Sequence, residues 1–398
     1  MGNLGKALSV VLVLIFLTSL VILQPATVKA ASKTITVPDD YPTIQAAVGN
    51  ASSGDTVFVK KGIYHIGALN IDKSLSLIGE DLQKTTINGD REKYYPHNWG
   101  RVTISIMASD VLIAGFTITN CENAISNPTK AISALKINGN NIENNFKGIF
   151  IDQNIKDCLI DKNFIRNNSG EAIAINGGNE FRISRNMISS NWIGISASGI
   201  RTATLSDNDI VDNSFGLSLI QTSNADIYGN TIKNNTIDTG YYGSKSDYGY
   251  GIDLFSNNNT IIHHNIITEN NYGINLRNFI LNEYTSFGFG NVVYQNNFVS
   301  NSKNANVEHR YPYNVTDIIN GTAKVSWDNC LVGNFWSDYQ GQGTYVIDEN
   351  NIDRHPLTQP VDITTTAPTL LTIAIIAIVL VLAVVVSLLL YKRHRKTT

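Results

Sequence analysis

The sequence predicts an all-β fold, a parallel β-helix of three short strands per coil, and three observations predict it. First, a phrase recurs seven times, opening on Asn140, Asn163, Asn186, Asn208, Asn230, Asn265 and Asn296. Second, each copy carries an apolar residue three positions before that Asn and another two positions after it, as in Ile137 and Ile142 or Leu205 and Ile210. Third, five positions after it stands a second Asn: Asn145, Asn168, Asn191, Asn213, Asn235, Asn270 and Asn301. The undisturbed spacing of 22 to 23 residues leaves room for three short strands and three turns. Such a unit cannot bury its inward residues alone, so neighbours must stack into about nine or ten coils. An amide at the same turn of successive coils can bond to its copies above and below, which makes each Asn series a ladder. A Gly-apolar-x-apolar strand closes most copies, as in Gly216-Leu217 and Gly251-Ile252, while in the looser early coils Phe116 and Cys121 replace the two Asn.

The remaining elements follow in order. Residues 1–30 read as a signal peptide, with Lys6, an apolar run over 7–23 and the small-residue site Val28-Lys29-Ala30; an uncleaved anchor is the alternative. Residues 31–110 are expected to hold an N-terminal cap and the first coils, because a solenoid end is a row of unpaired strand groups that needs a cover. The cap is a turn at Val37-Pro38-Asp39-Asp40 and a short helix with Ile44, Ala47 and Val48 on one face, and first strands over 54–59 and 62–64. Coils fill 111–310, a closing segment 311–360 and a tether 361–369. Residues 370–391 are expected to be a transmembrane helix: 370–390 carry no charge and at about 1.5 Å per residue can cross a core of about 30 Å. The basic tail 392–398 places that end in the cytoplasm and the body outside.

Composition excludes several functions. The 398 residues carry a net charge of −3, with 43% hydrophobic and 16% charged residues, too apolar for a disordered chain and too weakly charged for a nucleic-acid binder. The two ends hold six Lys and Arg and no acid, which leaves the middle 24 bases against 33 acids, a balance of −9. Three scattered Cys give no disulfide framework. Cys158, at the inward position shared with Leu135 and Phe181, reads as core.

The opening from Val37 to Val48 resembles the cap of the pectin-lyase-like β-helix superfamily. Gly333-Asn334-Phe335-Trp336-Ser337-Asp338-Tyr339, followed by Tyr345-Val346-Ile347-Asp348 and Asp353-Arg354-His355-Pro356-Leu357, resembles the closing segment of the NosD-like family of carbohydrate-binding and sugar-hydrolase (CASH) repeats. The resemblance covers nearly all of 33–360. It implies a right-handed β-helix on the cell envelope and relatives described as copper-delivery accessories. Copper or calcium enters by that resemblance only; the residues themselves show no cofactor and no metal motif. The acidic loop usual between the closing motifs is reduced to Gln340-Gly341-Gln342-Gly343-Thr344, and soft donors are few, with Met107 and Met187 the only Met beyond the start. His263-His264 is a local donor pair whose rings, as neighbours in a strand, should point to opposite faces.

Two interruptions of the repeat mark the candidate site. Asn230 to Asn265 spans 35 residues and Asn265 to Asn296 spans 31. The first excess carries Tyr241, Tyr242, Tyr248 and Tyr250, the second Phe279, Tyr284, Phe287 and Phe289. Both border one sheet face, whose outward positions are Asp253, Asn275 and Arg277 where earlier coils have Phe150, Ala174, Ser196 and Ser218. Aromatic rings beside a polar strip suit a carbohydrate chain; a surface ion pair under loops that pack their own aromatics is the plainer alternative. Asp253, Arg277 and His264 are the candidates for chemistry, of a lyase or glycoside-processing kind, without a recognised catalytic motif. The expected partner is a surface polysaccharide or glycan, not nucleic acid. A structural or adhesive surface protein and a copper-related accessory are the competing functions.

Overall fold

A computed structural model describes residues 31–91, 102–127, 131–152, 155–236, 249–279, 290–310 and 325–363. The chain divides into a leading segment, 1–33, and a body, 34–398, which holds every described strand. Among the described residues no helix is long and apolar enough to cross a membrane. The apolar segments 7–23 and 370–390 lie outside the described residues.

Each coil lays one strand on each of three parallel faces. The first face begins with Thr34–Val37 paired on Asp55–Val59, which in turn pairs with Leu75–Gly79. The second face is an eleven-stranded sheet from Gly62–His65 to Phe335–Trp336. The third runs from Leu69–Ile71 to Lys303–Arg310. The register matches the repeat in the sequence: Ile137, Ile160, Ile183, Leu205, Ile227, Ile262 and Val293 are successive partners on the first face. All are at most 1% exposed, so one column of apolar side chains fills the interior, as stacked coils require.

Both Asn series are ladders. Asn208 donates its backbone N–H and its Nδ2 to Oδ1 of Asn230 at 3.0 and 2.9 Å, and Asn230 repeats both bonds to Asn265 at the same distances although 35 residues intervene. The second series does likewise through Asn213, Asn235, Asn270 and Asn301. Every rung follows a left-handed residue, for example Asp207 and Asp212 with φ of 56° and 57°; that conformation turns the chain at a corner, where the following amide can reach the next coil. Beside the second ladder the backbones come too close for a side chain. A Cβ on Gly216 would stand 2.5 Å from the Gly251 carbonyl oxygen and 3.0 Å from Asn235 Nδ2, which is why the repeat carries glycine there. At the start of the ladders Phe116 and Cys121 donate their backbone N–H to Oδ1 of Asn140 and Asn145, with no side-chain amide to add the second bond. Cys158 sits in the core between Leu135 and Phe181, where burial pushes its thiol up to about 12.

The ends are built differently from the middle. At the start, helix Ile44–Asn50 is capped by Thr43, whose hydroxyl accepts from the Ala46 N–H at 3.1 Å. It buries Ile44, Ala47 and Val48 beside Thr34–Val37, Asp55–Val59 and Leu69–Ile71. Strand Thr34–Val37 precedes this helix, whereas the sequence pattern places the first strand from Gly54, because four residues are too few to show a period. At the far end the first ladder extends to Asn334, which accepts both bonds of Asn296 at 3.1 and 2.9 Å. Asp353 is the next acceptor. Fully buried, it takes the Asn334 N–H at 2.7 Å, Trp336 Nε1–H at 2.9 Å and the His355 N–H at 3.0 Å. A Cβ on Gly333 would meet its Oδ1 at 1.8 Å. Trp336 lies flat between Phe298 and Tyr345, with ring centroids at 4.4 and 4.3 Å. The closing motif is therefore a ladder terminator: glycine for room, Asn for the last amide, Trp for a lid, and a carboxylate to end the chain of donors.

Candidate functional site on the third face

The third face carries a column of outward side chains that changes character along the stack. Phe150, Ala174, Ser196, Ser218, Asp253, Asn275 and Asn306 are successive register partners. Two residues along each strand, Ile220, Phe255, Arg277 and Glu308 form a second column. Ala174, Ser196 and Ser218 are small, whereas the last three rungs are a polar network. Strand Tyr250–Phe255 supplies Asp253, Tyr272–Phe279 supplies Asn275 and Arg277, and Lys303–Arg310 supplies Asn306 and Glu308.

The geometry of that network is tight. Asp253 points outward from the sheet yet is only 2% exposed, and Asn275 is fully buried. Asp253 Oδ1 accepts from Asn275 Nδ2 at 3.0 Å and from Arg277 Nε at 2.9 Å, while Arg277 Nη2 bonds to Oδ2. The pair is thus a bidentate fork. Asn306 continues the chain by donating to Asn275 Oδ1 at 2.8 Å, and Lys303 Nζ donates to Asn306 Oδ1 at 2.6 Å. Burial pushes the Asp253 carboxyl above its usual range, and the bonds from Arg277 and Asn275 pull it back. The Arg277 guanidinium lies 5.6 Å from the centroid of the Phe255 ring.

An aromatic column runs beside the network. Trp192, Phe215, Tyr250 and Tyr272 approach in sequence, with ring centroids at 6.4, 5.9 and 5.2 Å. Phe215, Tyr250 and Tyr272 each stand directly before the glycine of their strand. Tyr250 is 5% exposed, and burial pushes its hydroxyl up to about 12. Tyr272 is half-buried and lines an open recess with Asn271, Ser302 and Lys303.

The structure brings together Tyr250, Asp253, Asn275 and Arg277. Three readings need correction. The Asp253–Arg277 pair is not a surface ion pair, since the carboxylate lies under its neighbours. His264 does not belong to this site: it lies at the turn between the first and second faces, whereas Asp253 is on the third. Nor do the two histidines point apart. His264 has left the strand and takes a left-handed turn, φ 53°, so its Nδ1 comes within 2.7 Å of His263 Nδ1. His263 also stacks between Tyr228 and Tyr294 at 5.3 Å and reaches Asp226 Oδ1 at 3.1 Å. Burial and the neighbouring His263 lower the pKa of His264. Among the described residues no group of three or more His, Cys, Asp or Glu could hold a metal ion.

Tyr241, Tyr242, Tyr248, Tyr284, Phe287 and Phe289 lie outside the described residues, as does the side chain of Phe279, whose backbone pairs with Arg310. The sequence reading missed Trp192, Phe215, Tyr272, Asn306 and Glu308. The aromatic-glycine pairs Phe215-Gly216 and Tyr272-Gly273 were the available signal for two of them.

Residues 124–298 match the family model described as right handed beta helix region. This stretch is a right-handed β-helix. Search of curated proteins finds no match. Among solved structures, the chain is similar to the DFA-IIIase from Arthrobacter chlorophenolicus A6 in complex with DFA-III, with a TM-score of 0.50, 13% identity, and 82% of this chain and 99% of that one covered. It is also similar to the mannuronan C-5 epimerase AlgE6 A-module from Azotobacter vinelandii, with a TM-score of 0.46, 13% identity and 68% and 95% coverage. Pectate lyase Pel9A gives a TM-score of 0.43, 12% identity and 72% and 74% coverage. Likeness at this identity concerns the fold. None of it is specific to the NosD-like family.

Proposed function

We propose that the third face binds a glycan, over the coils that carry Asp253, Asn275, Arg277 and Asn306. The observation that carries this reading is the change of the outward column from Ala174, Ser196 and Ser218 to a hydrogen-bonded polar network, flanked by Phe215, Tyr250 and Tyr272. Structural rungs have no need to vary; a recognition strip does. Apolar sugar faces stack on aromatic rings, and hydroxyls bond to amides and carboxylates. The aromatic insertions over 236–250 and 278–290 join this face by sequence and extend the platform in the proposal. Export and anchoring on the envelope are part of the same reading, supported by the sequences of 1–30 and 370–398 alone; protease added outside intact cells then releases the body.

Glycan-array binding of the purified full chain tests the function. Binding is expected, and Tyr272→Ala is expected to weaken it at least tenfold without changing the melting midpoint by more than a few degrees. Deletion of residues 237–248 should weaken binding as well. Retained affinity in both variants would remove the site from this face, and no binding across a broad array would favour a structural or adhesive role.

A further inference from the structure

We infer that the third-face site is built for uncharged sugars rather than for uronates. The inference rests on the glycan reading above and names its substrate class. A sugar carboxylate needs a cation with donors to spare, and the strip withholds its best one. Arg277 spends one whole edge of its guanidinium fork on Asp253, through Nε and Nη2. Drawing it away would strip a 2% exposed carboxylate of its counter-charge, which is strongly unfavourable. Asn275 is committed at both ends, its Nδ2 to Asp253 and its Oδ1 to Asn306. Glu308 stands in register with Arg277 one coil on, so an incoming carboxylate would meet two acids for each paired guanidinium. Lys303 is the other cation among the described side chains of the strip. It is exposed and already donates to Asn306 at 2.6 Å, and a single exposed ammonium contributes little to an ion pair.

The charge around the strip points the same way. The middle of the chain carries a balance of −9, a field that slows the approach of a polyanion at low salt. What the recess beside the strip does offer is the Ser302 hydroxyl next to the half-buried Tyr272 ring, and a hydroxyl matches sugar hydroxyls, which both donate and accept.

The test immobilises two sets of chains, neutral ones such as glucan, mannan and fructan, and polyuronates such as alginate and polygalacturonate, and measures binding of the full-length chain at low and at physiological salt. At least one neutral chain is expected to bind at least tenfold more tightly than any polyuronate at both salt levels. Polyuronate binding equal to or tighter than neutral binding would overturn the inference while leaving the glycan reading intact. Failure of both sets would overturn the glycan reading and this inference with it. Asp253→Asn, which keeps the shape and releases the guanidinium, is expected to raise polyuronate binding at least fivefold. If that variant does not fold, the wild-type comparison still decides. A folded Asp253→Asn with no gain would show that Arg277 is not the withheld cation, and would overturn the argument for the class.

Discussion

Asn230 and Asn275 are both buried amides bonded from coil to coil, yet they belong to columns of opposite kind. Above and below Asn230 the partners are always Asn, and every rung makes the same two bonds. Above and below Asn275 the partners are Asp253 and Asn306, with Arg277 beside them, and no two rungs are alike. The ladder needs sameness because each amide must accept from the coil before and donate to the coil after. The strip needs only local neutrality, so its members can differ. Uniform columns therefore hold the solenoid together, whereas the non-uniform column is free of the ladder's requirement for identical rungs.

The comparison can be broken first at its charged end. Asp253→Ala leaves a half-buried guanidinium and a buried amide without their acceptor, and should cost about 3 to 5 kcal/mol in chemical denaturation. Replacing both partners, as Asp253→Leu with Arg277→Met, should recover most of that loss. Equal losses in the single and double variants would show that the pair contributes nothing as a pair. Next comes the ladder itself: Asn208→Ala removes an acceptor from Asn186 and two donors toward Asn230 and Ile183, with an expected cost of about 1 to 3 kcal/mol. An unchanged melting midpoint would contradict the role given to the amides.

A smaller effect separates the ladder from its terminator. Burial raises the Asp353 pKa above its ordinary value, against the bonds from Asn334, Trp336 and His355. Its folded pKa lies above its unfolded one, so its contribution to stability is complete below the unfolded value and is lost as pH rises through the folded value. The wild-type chain should gain stability relative to Asp353→Asn between about pH 7 and about pH 4, measured as the difference in denaturation midpoints. A difference that shrinks over that range would reverse the assignment. The smallest effect is a silence: Cys330 is exposed, while Cys121 and Cys158 are buried, so a thiol reagent should modify one cysteine in the folded chain and three after denaturation.

Much of this was legible in the sequence, for a physical reason. A ladder writes itself as a repeated letter, so Asn140 to Asn301 gave the coils, their register and both turns. The inward column was equally plain, since Ile137 and its partners must all be apolar. What escaped was whatever breaks repetition. Asn304 stands in register with Gly273 and bonds to Asp338 at 2.8 Å; with the glycine gone, strand Lys303–Arg310 was not recognised, and Asn306 and Glu308 were lost with it. The meeting of His263 and His264 was missed because a left-handed residue leaves no mark in an alternating pattern unless it is glycine. The terminator was visible as a motif while its physics was not, because Asp353 meets Asn334 only after the chain has turned back.

The ladder also keeps a count that ignores residue number. Asn208 and Asn230 are 22 residues apart, Asn230 and Asn265 are 35 apart, and the bonds are 2.9 Å in both cases. Extra chain enters directly behind the second-ladder rung Asn235 and again after strand Tyr272–Phe279, and no rung shifts. The solenoid behaves like a spine with one open slot per vertebra, into which polypeptide can be inserted without re-indexing the rest. A foreign loop or a small domain grafted between Thr236 and Gly249 should leave the coils on either side in place, so this corner can take on new chain without disturbing the old.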